Sequence, residues 1–173
     1  MNEARLLELR AQKDQFFKAH PQSPLTPEQQ ARFSGLAYFA PAAEWSLMVE
    51  VQLFEHKENV LIQHTKGDAK WFMRYGEFQF AVNGSAGRLT IFRTADYFFL
   101  PFVDVLAGQE TYGAGRYLEP TPLADGRFAI DFNQAYNPYC AYNDRWACPI
   151  TPAENRLSVA IRAGEKLPPE AWL

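Results

Sequence analysis

From Trp45 onward the apolar residues of this chain recur at every second position. Trp45, Leu47, Val49, Val51 and Leu53 alternate with Ser46, Met48, Glu50 and Gln52, the period of a strand with one covered face and one wet face. Short runs with strand character, bounded by turn residues, follow at 60–65, 69–75, 77–82, 88–93, 97–100, 116–119, 126–131 and 157–163. Lys66-Gly67-Asp68 and Asn83-Gly84 supply residues that accept the positive φ of tight hairpins, and Gly76 interrupts a run where a bulge or sharp bend is expected. Strands joined by such turns are antiparallel. The pattern predicts an all-β, mainly antiparallel fold, a β-barrel-like or β-sandwich domain rather than alternating strands and helices.

Ahead of the strands the period is longer. Leu6, Leu9, Lys13, Phe16 and Phe17 follow helical spacing, and a helix is expected over about Glu3–Lys18. Beyond Pro21 and Pro24, Thr26-Pro27-Glu28-Gln29 has the form of a capping box with Pro at the first helical position, so a second short helix should start there and end by Gly35. No linker divides the chain and no repeat is visible. It reads as one domain, 1–173, with a helical segment over 1–35 and a β domain over 36–173. A domain this long buries roughly 70% of its unfolded surface, and the 47% of hydrophobic residues are enough to form that core.

Several function classes lack a physical basis here. With a net charge of −3 and no block of like charges, nothing supplies the counterion release that drives nucleic-acid binding. The first residues, MNEARLLELRAQKDQFF, break every apolar run with charges, so neither a secretory h-region nor a membrane span is expected. A cytoplasmic location follows as an expectation, with Cys140 and Cys148 as thiols whose spacing permits a small closed loop on oxidation. Two cysteines separated by seven intervening residues, with His20, His56 and His64 elsewhere, match no zinc spacing. There is no Gly-x-Ser-x-Gly nucleophile turn, and no cofactor is implied.

Two segments depart from the alternating pattern while staying rich in polar and aromatic groups. The first is GQETYGAGRYLE, 108–119, in which Glu110 and Arg116 are charges in an apolar neighbourhood. They would converge on a bound anion, or else Arg116 would pair with Glu110 or Asp131. Gly113 and Gly115 would let backbone approach a ligand or a neighbour closely. The second is DFNQAYNPYCAYNDRWACP, 131–149, where the tripeptide AYN occurs twice. Asn133, Asn137 and Asn143 offer amide donors and acceptors, while Tyr136, Tyr139, Tyr142 and Trp146 offer flat walls with polar tips. Such a mix suits recognition of a small polar ligand, and it equally suits a long loop that satisfies its own backbone.

These two segments, with FSGLAYF at 33–39 and ENRLSVAIRAGEK at 154–166, together resemble the prokaryotic family called domain of unknown function 1684. The resemblance extends from about Phe16 to Lys166. It implies that both segments belong to the family's signature, and it carries no catalytic assignment with it.

The expectation is therefore a binding protein, and one that processes its ligand if it is an enzyme. Its pocket for a small polar or aromatic molecule would lie between 108–119 and 133–146. Glu110 and Arg116 would anchor the ligand, Tyr112, Tyr139 and Trp146 would wall it, and Asn133, Asn137 and Asn143 would read it. Two alternatives stand beside this reading. One is a cysteine-dependent enzyme with Cys140 as nucleophile, and the other is a structural or protein-interaction module without a ligand.

Overall fold

The computed structural model describes residues 2–173. Helix α1 spans Glu3–Ala19, with the Asn2 side chain accepting the Arg5 N–H at its start. Helix α2 spans Pro27–Arg32 and carries the complete capping box, Thr26 accepting from Gln29 N–H while the Gln29 side chain accepts from Thr26 N–H. The remaining regular structure is strand apart from short 3-10 turns. The strands are β1 (Ser46–Val49), β2 (Gln52–Leu53), β3 (Asn59–Gln63), β4 (Ala69–Val82), β5 (Ser85–Arg93), β6 (Phe98–Phe102), β7 (Arg116–Leu118), β8 (Thr121–Pro122) and β9 (Phe128–Asp131).

All the strand pairs are antiparallel. One sheet has the order β1-β9-β8; the other has the order β2-β4-β5-β6-β7, with β3 also on β4. Among the described residues the sheets remain open and form no closed barrel. The β4–β5 hairpin turns at Asn83 (φ 50°) and Gly84 (φ 78°), and the register between these strands shifts between Arg74 and Gly76. That bulge lets β4 pair with β3 before it and with β2 after it. A Cβ on Gly76 would lie 2.7 Å from the carbonyl oxygen of Gln52.

Two expected strands are not formed as such. The run from Trp45 to Leu53 breaks at Glu50 and Val51, so that β1 joins the smaller sheet and β2 the larger one. The 157–163 segment bends at Ser158 and Val159 and forms no strand. It runs beside Val103 and Val105, donating from Leu157 N–H to Val103 and accepting from Val105 N–H at Val159. Further on, the carbonyls of Ile161 and Ala163 accept from the guanidinium of Arg116 in place of a neighbouring strand.

Alternation along the larger sheet creates two apolar faces. Leu89, Ile91, Leu100, Phe102 and Leu118 point into the main core, where they meet Val49, Phe128, Ile130 and Phe132. Phe92, Phe99 and Tyr117, the residues of opposite parity, join Ile62 and Phe72 in a second cluster on the far face. A third cluster, of Phe17, Leu25, Phe33, Tyr142 and Trp172, ties the helical segment to the 131–149 stretch and to the C-terminus. No helix is long and apolar enough to cross a membrane among the described residues.

Candidate functional site

The far face of the larger sheet presents rings where a half-exposed sheet would present polar side chains, and the 131–149 segment covers it. Tyr136 exchanges both backbone hydrogen bonds with Tyr117, and their rings meet edge to face at 5.9 Å. Further on, the Tyr117 hydroxyl donates to the carbonyl of Pro149. The loop thus touches the sheet at both ends and stands off it between them. The resulting cleft has a volume of about 430 Å³. Phe99 and Tyr117 line its sheet side, and Tyr136, Tyr139 and Trp146 its loop side. Tyr97, Pro138, Ala147, Cys148 and Pro149 complete the lining, with Lys13 and Glu119 as the charged groups.

Those two charges are in different states. Lys13 stands in the apolar stripe of α1, and its Nζ lies 2.5 Å from Oε1 of Glu165, a carboxylate that is 1% exposed. Oε2 of Glu165 accepts from the Tyr142 hydroxyl at 2.6 Å and from the Asn137 N–H at 2.8 Å. This buried carboxylate is therefore paired and hydrogen-bonded, as a charge in low dielectric must be. Burial, reinforced by the Glu165 charge, holds the Tyr142 hydroxyl well above its usual range, so it stays a donor. Glu119 is exposed; it accepts from the Tyr136 hydroxyl at 3.1 Å and has no ion pair among the described residues. The one free charge at the cleft is thus negative.

Of the residues singled out by sequence, Tyr136, Tyr139 and Trp146 line the cleft. Trp146 is fixed by its indole N–H, which donates to the carbonyl of Pro24 at 3.0 Å, and by the ring of Tyr139 at 5.2 Å. Asn143 caps its own turn, accepting from the Arg145 N–H. Asn137 is buried, donating to the carbonyl of Lys166. Asn133 is also buried and bridges to Ala42 through both its carbonyl oxygen and its amide nitrogen. These two amides are engaged with the chain's own backbone.

Arg116 and Glu110 do not converge. On β7 Arg116 shares the face of Leu118, opposite Tyr117, and therefore points inward, where it is 1% exposed. It pairs with Asp104 at 3.4 Å, not with Glu110 or Asp131, and donates to the carbonyls of Ile161, Ala163 and Glu165. Burial lowers its pKa to about 10, with the charges of Asp104 and Glu165 opposing the fall, so it remains a cation at neutral pH. Glu110 is partly exposed and pairs with Arg162 at 2.6 Å. Gly115 permits a close approach, but to a neighbour: its φ is +98°, and a Cβ there would sit 2.5 Å from the carbonyl oxygen of Phe102. Around Gly113 no such crowding exists.

Tyr112 and Cys140 do come together. The Tyr112 hydroxyl lies 3.7 Å from Sγ of Cys140 and 3.4 Å from its carbonyl oxygen. Both cysteines are free thiols. Among the described residues no group of three His, Cys, Asp or Glu side chains is placed to hold a metal ion.

Sequence reasoning missed Tyr97, Phe99, Tyr117, Glu119 and the Lys13–Glu165 pair. The signal for Phe99 and Tyr117 was present: with Leu100 and Leu118 facing the core, alternation sends them to the opposite face. For Lys13 the clue was a cation inside an apolar helical stripe.

Residues 31–166 match the model of the family described as protein of unknown function (DUF1684). The chain is also similar to an uncharacterized protein of Haloarcula marismortui known from a solution NMR structure. They share 37% sequence identity and a TM-score of 0.72, over 95% of this chain and 93% of that one. No curated protein matches the chain.

Proposed function

Starting from a chain that belongs to the DUF1684 family, whose description assigns no activity, we propose that the cleft binds a small cytoplasmic molecule with a flat body and a cationic or hydrogen-bond-donating group. The observation that carries this reading is the composition of the cleft. Six aromatic rings, those of Tyr97, Phe99, Tyr117, Tyr136, Tyr139 and Trp146, line the cleft together with Glu119, a carboxylate without an ion pair among the described residues. The volume of about 430 Å³ falls within the range of small-molecule sites. Aromatic faces attract flat rings and cations, each contact contributing on the order of 0.5–2 kcal/mol. Lys13 adds no net attraction for anions because Glu165 already neutralises it.

Within this reading Tyr139 and Trp146 are walls, and Arg116, Asn133 and Asn137 hold the segments that carry the walls. Tyr112, Asn143 and Glu110 lie outside the lining. A thermal-shift comparison of aromatic amines with aromatic carboxylates of matched size tests the proposal. The amines should raise the melting temperature more, Glu119→Gln should erase that preference, and Trp146→Ala should abolish the stabilisation by either class. Equal effects of both classes on wild type, or stabilisation that survives Trp146→Ala, would contradict it.

A further inference from the structure

At the base of the loop the fold brings its two cysteines into contact. Cys140 lies in the 3-10 turn Tyr139–Ala141 and is half-buried, whereas Cys148 is buried. The backbone N–H of Cys140 donates to Sγ of Cys148 at 3.3 Å. From the other side Cys148 is held by the end of the β3–β4 hairpin: its N–H donates to Oγ1 of Thr65 at 3.2 Å, and its carbonyl accepts the Thr65 N–H at 3.0 Å. The Tyr112 hydroxyl approaches Sγ of Cys140 from the 108–119 segment.

Among the described residues no His, Asp or Glu hydrogen-bonds the sulfur of Cys140. A nucleophile–base pair of the acyl-transfer kind is therefore not built, and what stands against the nucleophile is a second thiol. We infer that Cys140 and Cys148 form a thiol–disulfide exchange pair acting on low-molecular-weight disulfides, with Cys140 as the attacking sulfur and Cys148 as the resolving one. This inference does not depend on the aromatic ligand proposed for the cleft.

The roles follow from the surroundings of each sulfur. Cys140 is the more exposed, and the Tyr112 hydroxyl donates to its sulfur at 3.7 Å, while Cys148 stands beside it. The neighbouring Cys148, against opposition from burial and with help from Tyr112, lowers its pKa to about 7. Cys148 moves the other way, raised by the neighbouring Cys140 and by burial. A thiol that ionises near ambient pH is the best attacker in exchange.

In the first step the Cys140 thiolate attacks one sulfur of the small disulfide. A bond forms from Sγ of Cys140 to that sulfur, the original S–S bond breaks, and one small thiolate leaves. Cys148 then releases its proton to solvent and attacks Sγ of Cys140, which expels the second small thiolate. Two protein thiols lose two electrons and two protons, and the small disulfide is reduced to two thiols. The closed bridge would tether the loop that carries Trp146.

The test equilibrates the folded protein with oxidised and reduced glutathione at graded ratios, and reads intact mass and disulfide-linked peptides. Reversible loss of two hydrogens with a Cys140–Cys148 link is the expected result. Cys148→Ser should accumulate a glutathione adduct at Cys140, whereas Cys140→Ser should form its adduct at Cys148 at least tenfold more slowly. Tyr112→Phe should slow the first step severalfold without altering the circular dichroism spectrum. Native protein that keeps both thiols in fully oxidised glutathione, or an adduct that forms first at Cys148, would overturn the inference. Should a serine variant fail to fold, wild type treated with limiting iodoacetamide decides instead: alkylation of Cys140 first supports the assignment, and alkylation of Cys148 first defeats it.

Discussion

Arg116 shows what a single position can and cannot reveal. Its sequence neighbourhood announced a charge among apolar residues, but its partner Asp104 depends on β6 and β7 being paired and on the chain returning at 161–165. No local pattern encodes that return. Because Asp104 also accepts from Ile161 N–H and the Thr111 hydroxyl, removing the guanidinium leaves a buried carboxylate short of a charge partner and three carbonyls short of a donor. Arg116→Met should cost roughly 3–5 kcal/mol, read as a lower urea midpoint, and Lys at this position should not restore it because an ammonium lacks the planar fork. Asn137→Ala should cost on the order of 1–3 kcal/mol by the same assay, since the Lys166 carbonyl loses its donor. At Cys140 the sign is set by its lowered pKa. The thiolate forms as pH rises through about 7 instead of the ordinary 9.0, so the rate of iodoacetamide alkylation should be half-maximal near pH 7. Tyr112→Phe, which removes a donor to the sulfur, should move that midpoint upward.

At the scale of elements the sequence was most legible where local chemistry decides. The capping box of α2, the Asn83-Gly84 hairpin and the Gly76 bulge are set by residues within a few positions of one another, and each stands where its residues indicated. Legibility failed where a distant group decided. The 157–163 run has strand composition, yet Arg116 and Asp104 take the backbone groups that a ladder would need. Trp45–Leu53 alternates without a break, yet the two sheets divide it. The entry to β7 has its own requirement. Gly115→Ala combines a positive φ with a Cβ 2.5 Å from the Phe102 carbonyl oxygen. Backbone strain alone should cost about 1–3 kcal/mol, and amide hydrogen exchange should show faster opening of the β6–β7 pairs, with the β4–β5 hairpin unaffected.

For the molecule as a whole, the cleft exists because three bodies meet without filling the space between them. The sheet offers a ring-covered far face, the 131–149 loop stands off that face, and α1 anchors the loop through Lys13, Glu165 and Tyr142. The sequence singled out three residues that line the cleft from the loop, Tyr136, Tyr139 and Trp146, but looked for the facing surface at Glu110 and Arg116, whereas Phe99 and Tyr117 of β6 and β7 line it. The difference arises because charge drew attention to 110–116, whereas the cleft is built mainly from rings. Four tryptophans make the central claim directly measurable: Trp146 lines the cleft, Trp45 and Trp172 are buried in other clusters, and Trp71 is 63% exposed on β4. Titrating an aromatic amine into isotope-labelled protein while recording the four indole N–H signals by NMR reads the site with internal controls. The account predicts a saturable shift of the Trp146 signal, with those of Trp45, Trp71 and Trp172 unmoved; a shift at Trp71 alone, or no saturable shift at Trp146 with any aromatic amine or acid, would contradict it.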